Sequence, residues 1–392
     1  MRYGFKDVVI DSRTGLNPRK NFILGNGKNN YITIKDIYNG QINITDKTDK
    51  VDDDAIQIIK KRSRIIVGDI LFVSIGRIGE TAIVTAKDDT WDVNESVFVF
   101  TLNRDVITPE YFCMLFQSRT IQKYLMGNSS GSTFKSIKMN QLEKMTFDLP
   151  SIEVQEEITA KLSKTKTICK LRTSELAHLE GLIKARFVEM FGDPEENPFA
   201  WEKHPLSNII INANNGMARR GNDSDGSIVM RLVELQDGYI DYSAPNRIIL
   251  NDTEKNRYRL LDGDFLFARV NGNPDNVGRC AVFHELREPV YHNDHIIRVH
   301  FNDSVLDGVF ASALINSAYG KRQMKGQIKT SAGQYTISQD GIGAIVAILP
   351  PIQLQKQFAA FVSQINKSKA VVQAALDKAQ LLFDSLMQQY FG

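Results

Sequence analysis

The sequence lacks the features that mark membrane and secreted proteins. Its 392 residues contain no apolar run of about eighteen residues, the length that a membrane-spanning helix needs. The first ten residues include Arg2, Lys6 and Asp7, where a secretory signal would need an unbroken apolar stretch. We therefore expect a cytoplasmic protein, and its hydrophobic fraction of 42% is sufficient for real cores.

Cysteine and net charge are also scarce. The three cysteines lie far apart, so neither a disulfide framework nor a zinc site is indicated. The net charge is only +2, so the whole chain has no strong electrostatic field for a polyanion. Any nucleic-acid binding must therefore come from local patches.

Motifs for cofactor chemistry are missing. An adenine methyltransferase needs a glycine-rich cofactor loop and an Asn/Asp-Pro-Pro-aromatic tetrapeptide, and the nearest string, Asn197-Pro198-Phe199, lacks the second proline. No Gly-x-x-x-x-Gly-Lys-Ser/Thr phosphate loop occurs. We expect a non-catalytic chain that binds no cofactor itself.

A histidine cluster leaves a metal site as an alternative. His292, Asp294, His295 and His300 bring imidazoles and a carboxylate within a few residues of one another, and both groups are zinc ligands. The first half of the chain has no histidine at the corresponding place, and HIIRVH alternates as a strand does. We favour a strand with solvent-facing polar side chains and expect no metal.

The strongest signal present is an internal repeat with a period of about 200 residues, which indicates a duplicated unit. The string Leu149-Pro150-Ser151-Ile152 returns as Leu349-Pro350-Pro351-Ile352, and VGDILF at 67–72 returns as DGDFLF at 262–267. Asn39-Gly40 lies opposite Asp237-Gly238 in the repeat, and both dipeptides favour tight hairpin turns.

Each copy has two unlike parts. Short β-rich runs broken by Gly, Asn and Asp, with helical spacing over 108–125 and 309–324, indicate an α+β domain. The proline-free stretches Ile152–Phe191 and Ile352–Phe391 predict long helices. We predict four segments: a globular domain over 1–150, a helix over 151–192, a second globular domain over 193–350 and a second helix over 351–392.

Apolar residues recur on each long helix at steps of four and three. The stripe starts at Ile158 on the first helix and at Phe358 on the second. A period of 3.5 predicts coiled-coil packing. The two helices would most simply pair with each other in an antiparallel coiled coil, which places the two globular domains in pseudo-twofold relation.

Polar loops differ between the copies while the surrounding scaffold agrees. Arg, Lys, Asn and Gln are the side chains that read guanine and adenine edges, and Ser, Thr and Lys often hold phosphates. Any one such residue more commonly belongs to an ordinary solvated turn than to a DNA contact. The prediction is therefore that at least one of these polar loops contacts DNA in each copy, and does not depend on any single residue. The candidate DNA-binding residues in the first copy are Arg19, Lys20, Lys28, Asn29, Asn30, Arg77, Ser130, Ser132, Thr133 and Lys135. Those in the second copy are Arg219, Arg220, Asn222, Arg231, Arg269, Asn271, Asn273, Lys329, Gln334 and Tyr335.

The repeat, the Gly-Asp-Ile/Phe-Leu-Phe strands and the Leu-Pro-x-Ile-x-x-Gln helix starts together resemble the specificity-subunit family of Type I restriction-modification systems. The resemblance covers nearly the whole chain. It implies two target-recognition domains that each read one half of a split double-stranded DNA sequence, with a coiled coil that sets the spacing. It also implies two methyltransferase subunits that use S-adenosylmethionine and restriction subunits that use ATP and magnesium, so those cofactors belong to partners.

A protein of another class remains an alternative. Two lectin-like or peptide-binding domains held apart by a helical tether would give a non-enzymatic interaction protein. DNA binding would weaken steeply with salt because phosphate contacts release counterions, whereas this alternative predicts no such dependence. A self-sufficient DNA enzyme is disfavoured because the chain has no cofactor loop.

Overall fold

The computed structural model describes residues 1–18, 21–131, 134–331 and 333–392. The chain separates into unit 1, which contains Met1–Thr173 and Ala374–Gly392, and unit 2, which contains Ser174–Gln373. Each unit combines helices with antiparallel and mixed sheets. Within the described ranges, no helix has both the length and the apolar character needed to cross a bilayer.

Unit 1 is built around a four-stranded antiparallel sheet in the order β2-β10-β7-β8. Small sheets β1-β11, β6-β3-β9 and β4-β5 surround it. The strands are β1 (Arg2–Gly4), β2 (Val9–Thr14), β3 (Asn29–Ile32), β4 (Ile37–Tyr38), β5 (Gln41–Ile42), β6 (Asp49–Val51), β7 (Ile70–Val73), β8 (Thr81–Ile83), β9 (Trp91–Val93), β10 (Val97–Leu102) and β11 (Thr146–Asp148). The helices are α1 (Phe5–Val8), α2 (Asp53–Ser63), α3 (Pro109–Gln117), α4 (Arg119–Gly127) and α5 (Met139–Leu142). The long α6 (Ile152–Phe191) follows, and its residues after Thr173 belong to unit 2.

Unit 2 has its own four-stranded antiparallel sheet, in the order β13-β20-β16-β18. Its small sheets are β12-β23, β15-β14-β19 and β17-β22-β21. The strands are β12 (Glu202–Pro205), β13 (Ile210–Asn215), β14 (Ser227–Met230), β15 (Arg247–Ile248), β16 (Phe265–Ala268), β17 (Val270–Asn271), β18 (Cys280–Val282), β19 (Val290–His292), β20 (Ile296–Phe301), β21 (Lys329–Ser331), β22 (Gln334–Thr336) and β23 (Val346–Leu349). The helices are α7 (Asp252–Tyr258), α8 (Gly308–Asn316), α9 (Ala318–Gln327) and α10 (Gln339–Gly343). The long α11 (Ile352–Phe391) follows, and its residues from Ala374 onward belong to unit 1.

The repeated Gly-Asp dipeptide forms the turn that starts a central strand. Gly68 has φ 92°, a left-handed conformation that favours glycine. The buried carboxylate of Asp69 accepts the N–H of Ile66 over 3.0 Å and lies 2.8 Å from the guanidinium of Arg13. In unit 2 the carboxylate of Asp264 accepts a main-chain bond of the same kind over 2.8 Å. The motif is therefore a structural feature that fixes the entry into β7 and β16.

The hairpin predicted at Asn39-Gly40 is confirmed. β4 and β5 pair antiparallel around this dipeptide, with φ 56° at Asn39 and 76° at Gly40. Positive φ at both central residues is the conformation that Asn-Gly favours in a two-residue hairpin.

The helical stretch predicted over 108–125 is two helices, α3 and α4. Ser118 separates them with an extended backbone (φ −66°, ψ 149°), and its hydroxyl accepts the N–H of Ile121 over 3.3 Å as the N-cap of α4. Ser317 has the same role between α8 and α9. A serine that caps a new helix outweighs a continuous apolar spacing.

The long helices α6 and α11 have the predicted bounds, with 40 residues each. A buried glutamine near the start of each helix bonds to main-chain groups of its own unit. The side chain of Gln155 accepts the N–H of Thr108 over 3.0 Å and donates to the carbonyls of Val106 and Pro150 over 2.8 and 3.0 Å. The side chain of Gln355 makes three corresponding bonds of 2.8 to 3.0 Å. We call each set of three bonds a glutamine attachment.

The predicted apolar stripe is buried or half-buried at every position from Ile158 to Met190 and from Phe358 to Tyr390. In unit 2 the rings of Phe187 and Phe358 are 5.6 Å apart. The ammonium of Lys369 lies 3.0 Å from the carboxylate of Glu180. As the residue number rises along α6, the residue number of its contact on α11 falls. These helix segments of unit 2 therefore run antiparallel.

Candidate nucleic-acid interface

Two of the predicted polar loops of unit 2 meet in one small sheet. β17 follows the central strand β16, and the hairpin of β21 and β22 lies beside it in the order β17-β22-β21. Asn271 is opposite Tyr335, and Thr330 is opposite Tyr335 on the other side. Because main-chain bonds hold this sheet together, the side chains of Asn271, Gln334 and Lys329 can vary without loss of the scaffold.

Asparagine side chains shape the longer loop after β17. The Oδ1 atom of Asn271 accepts the N–H of Asn273 over 2.9 Å, and Oδ1 of Asn273 accepts the N–H of Asp275 over 3.0 Å. Both residues were predicted to contact DNA, and the structure uses one amide oxygen of each to form turns. The amide nitrogens of these two residues donate none of the hydrogen bonds found among the described residues.

The corresponding loops of unit 1 also meet. The N–H of Gly76 donates to the carbonyl of Lys135 over 2.9 Å. Ser136 forms β-bridges with both Ile75 and Ser130. The loop after β7 and the segment around Lys135 are therefore neighbours in unit 1, as the two polar loops are in unit 2.

Arg77 fastens the loop after β7 to the segment that follows β3. Its guanidinium donates to the carbonyls of Ile34 and Ile37 over 2.8 and 2.7 Å and lies 2.8 Å from the carboxylate of Glu80. About half of the side chain remains exposed. The same residue can therefore hold the loop and offer an edge to a ligand.

The candidates at the start of β3 and just before it differ in accessibility. Asn29 is only 3% exposed, and its amide donates to the carboxylate of Asp53 over 2.8 Å. This hydrogen bond lowers the pKa of Asp53, and the positive charge of Lys28 adds a smaller effect in the same direction. Asn30 accepts a bond from Lys50, while Lys28 itself is exposed and lies 3.5 Å from Asp53. Lys28 is the member of this group whose charged end is open to solvent.

Arg220 and Arg269, from two separate loops of unit 2, converge on the turn before β20. Arg220 lies 2.7 Å from the carboxylate of Asp294, and Arg269 donates to the main-chain carbonyl of Asp294 over 3.1 Å. Burial lowers the pKa of the adjacent His295; Asp294 opposes this shift, and the two arginines reinforce it. His295 therefore lies beside two cations, and both disfavour its protonated form.

Arg219, Asn222 and Arg231 line an open concavity of about 280 Å³ together with Arg220. Each of the other two arginines has a carboxylate partner: Arg219 lies 2.8 Å from Glu254, and Arg231 lies 2.6 Å from Glu234. The bond from Arg219 lowers the pKa of Glu254. These arginines are oriented by fixed carboxylates, and planar guanidinium groups held in this way suit directional recognition. The complete lining is Arg219, Arg220, Gly221, Asn222, Val229, Arg231, Asn246, Ile248 and Asn293.

Four predicted residues, Arg19, Lys20, Ser132 and Thr133, lie outside the described residues. The sequence prediction also omitted two exposed neighbours of the unit 1 loop, Phe134 and Lys138. An aromatic residue within the polar string SSGSTFK was the signal that pointed to Phe134.

The histidine cluster has structural partners. His292 is buried, faces the carbonyl of Tyr258 over 3.1 Å, and has its pKa lowered by burial to about 4. His300 lies 3.4 Å from the carboxylate of Asp264. Among the residues that the structure describes, no three His, Cys, Asp or Glu side chains are grouped so as to hold a metal ion.

Comparison with known protein families gives a match over residues 5–180 to the Type I restriction modification DNA specificity domain. The chain is 25% identical over 297 residues to the StySPI specificity subunit of Salmonella potsdam, with 72% of this chain and 64% of the relative covered. It is 24% identical over 274 residues to the EcoKI specificity subunit of Escherichia coli K12, with 66% and 59% covered. The match thus spans less than two thirds of the length of these relatives.

Solved structures share the fold. The Type I restriction-modification S subunit from M. genitalium aligns with a TM-score of 0.60 and 14% identity, covering 100% of this chain and 96% of that one. A chain from a structure of type I R-M system assembly and conformational transition aligns with a TM-score of 0.55 and 16% identity, covering 100% and 97%.

Proposed function

We propose that the chain is the DNA sequence-recognition subunit of a Type I restriction-modification complex, because residues 5–180 match the DNA specificity domain of such systems and two specificity subunits are 25% and 24% identical to it. It reads a bipartite double-stranded DNA target and carries out no chemistry itself. One observation carries the proposal: in each unit the loop after the central strand pairs with a polar segment through main-chain bonds, while the side chains differ. Equal scaffolds with unequal side chains suit two readers of different half-sites.

We propose the four segments predicted from the sequence as the working parts. Residues 1–150 and 193–350 are target-recognition domains, and residues 151–192 and 351–392 are spacer helices that form an antiparallel coiled coil. The equivalent strand orders of the two four-stranded sheets support the duplication. The buried stripe on both helices and the contact between Phe187 and Phe358 support the pairing.

The proposed partners are two methyltransferase subunits and restriction subunits. The methyltransferases are expected to dock along the helices and the adjoining domain edges. S-adenosylmethionine, ATP and magnesium are proposed to belong to these partners. The absence of a phosphate-loop motif from this sequence supports that assignment of ATP.

The experiment is selection from a random double-stranded DNA library by the full-length chain together with the methyltransferase of its system. Enrichment of two short defined stretches at fixed spacing is the expected result. Affinity for the selected duplex should fall steeply as salt is added. The logarithm of the binding constant should decrease with the logarithm of the salt concentration, with a slope of about −0.9 per phosphate contacted. Binding without sequence enrichment or salt dependence would favour the tethered interaction protein and would contradict the proposal.

A further inference from the structure

Phe134 in unit 1 is exposed without a structural reason. Its ring is 72% exposed, a larger fraction than for any other aromatic side chain that the structure describes. It is not part of the hydrophobic core of unit 1, which includes Phe112, Phe116 and Phe147. Single exposed apolar side chains are common on protein surfaces, so Phe134 becomes a candidate contact only through its position in the loop and the charges beside it.

The register of the loops places Phe134 at the position that Gln334 has in unit 2. Phe134 is two residues before Ser136, which bridges to Ile75 after the central strand. Gln334 is two residues before Thr336, which pairs with Val270 after the other central strand. Gln334 is also exposed. The two units therefore present an aromatic ring and an amide at the same place.

The sequence around Phe134 is basic. From residue 111 to residue 142 the sequence contains no Asp or Glu. Lys135 and Lys138 are exposed, and none of the ion pairs among the described residues involves either one. Unneutralised lysines beside an exposed ring fit a polyanion that also has an apolar edge, and double-stranded DNA has both.

We propose that Phe134 packs against the 5-methyl group of a thymine in the half-site that unit 1 reads, with Lys135 and Lys138 on the flanking phosphates. This inference rests on the proposed function and adds a specificity-determining residue to it. The thymine methyl is the apolar group of the major-groove edge, and a phenylalanine ring has no hydrogen-bonding atoms with which to read any other base feature.

The test replaces single thymines of the selected duplex by uracil, which removes the methyl group and keeps base pairing. The full-length wild-type chain with its methyltransferase should lose about threefold to fivefold in affinity at one thymine of one half-site, as expected for one buried methyl group. Phe134→Ala should bind the thymine and uracil duplexes equally and should unfold at the wild-type temperature because the ring is exposed.

Two control variants complete the design. Val67→Ala removes an exposed aliphatic side chain that precedes β7, at the end opposite the loop at 74–77, and it should keep the uracil effect. Gln334→Ala should change the base preference at the half-site read by unit 2 and should keep the uracil effect at the half-site read by unit 1.

A uracil penalty that persists in Phe134→Ala overturns this inference and leaves the proposed function intact. The inference is also overturned if uracil lowers the affinity of the wild-type chain at no thymine of the selected half-sites. In that case, an equal loss of affinity of Phe134→Ala for all duplexes would indicate that the ring inserts between base pairs instead of contacting a methyl group. Failure of the wild-type chain to enrich any sequence overturns the proposed function and this inference together.

Discussion

Arg220 and Arg269 bind the same residue, Asp294, one through its carboxylate at 2.7 Å and the other through its main-chain carbonyl at 3.1 Å. Arg220 precedes β14 in the sequence, and Arg269 directly follows β16. Asp294 therefore fixes the relative position of two candidate base-reading side chains. A fixed pair of guanidinium groups loses little conformational entropy on binding, which favours discrimination between bases.

We expect Arg269→Ala to relax recognition at the half-site read by unit 2 and to leave the other half-site unchanged. A lost bidentate base contact reduces discrimination by about 1 to 3 kcal/mol. Binding to duplexes with single-base substitutions in each half-site measures this. Arg287→Ala is the matched control, since Arg287 is exposed and lies elsewhere in unit 2. Equal relaxation at both half-sites would contradict two independent readers.

We expect Gln355→Ala to lower the free energy of unfolding by about 2 to 4 kcal/mol, because it leaves the N–H of Asp307 and two carbonyls without their buried partner. Urea unfolding of the full-length chain measures the loss. Gln357→Ala, at an exposed position of the same helix, should change the stability by less than about 0.5 kcal/mol. Similar stability of the two variants would show that the glutamine attachment is unimportant.

Stability should fall as the pH is lowered from 7 to 5, partly because of His292. Its pKa in the folded chain is about 4 because of burial, with Arg298 acting in the same direction, while an unfolded histidine titrates near 6.5. The unfolded state therefore binds the proton first, and the contribution of His292, complete above pH 6.5, decreases by about 2 kcal/mol at pH 5. His292→Gln should show a shallower pH dependence in urea unfolding. An unchanged slope would assign the acid sensitivity to other groups.

Lengthening the spacer helices should change the preferred DNA spacer. Adding seven residues after Thr173 in α6 and seven before Ala374 in α11 preserves the period of the buried stripe. The insertion adds about 10 Å to each helix, which corresponds to about three base pairs at 3.4 Å each. Library selection with the extended chain measures the spacer. A spacer of the original length would refute the role of the helices in setting it, while unaltered half-sites provide the internal control.

Elements governed by local sequence were predictable. The bounds of α6 and α11 follow from a proline-free stretch between Pro150 and Gly192 and from its repeat, and the turn at Asn39-Gly40 follows from two residues that tolerate positive φ. The break at Ser118 was missed because apolar spacing continues across it, and only the hydroxyl bond to Ile121 distinguishes a cap from a helix interior.

Long-range partners were not predictable in the same way. No local pattern reveals that Asn29 turns inward to Asp53, or that Arg220 and Arg269 meet at Asp294. A polar residue in a loop has the same sequence signature whether it faces solvent or a distant carboxylate. The candidate DNA contacts were therefore predictable as loops, while the orientation of each side chain depends on the fold.

The glutamine attachments have a consequence for how such a chain can change over generations. Gln155 bonds to the N–H of Thr108 and the carbonyls of Val106 and Pro150, so its three partners are main-chain atoms that any residue, or for the carbonyls even proline, supplies. Side chains elsewhere in a unit can accordingly be substituted while the three bonds to the long helix are kept. A change of residue type in a polar loop requires no compensating change where the helix begins.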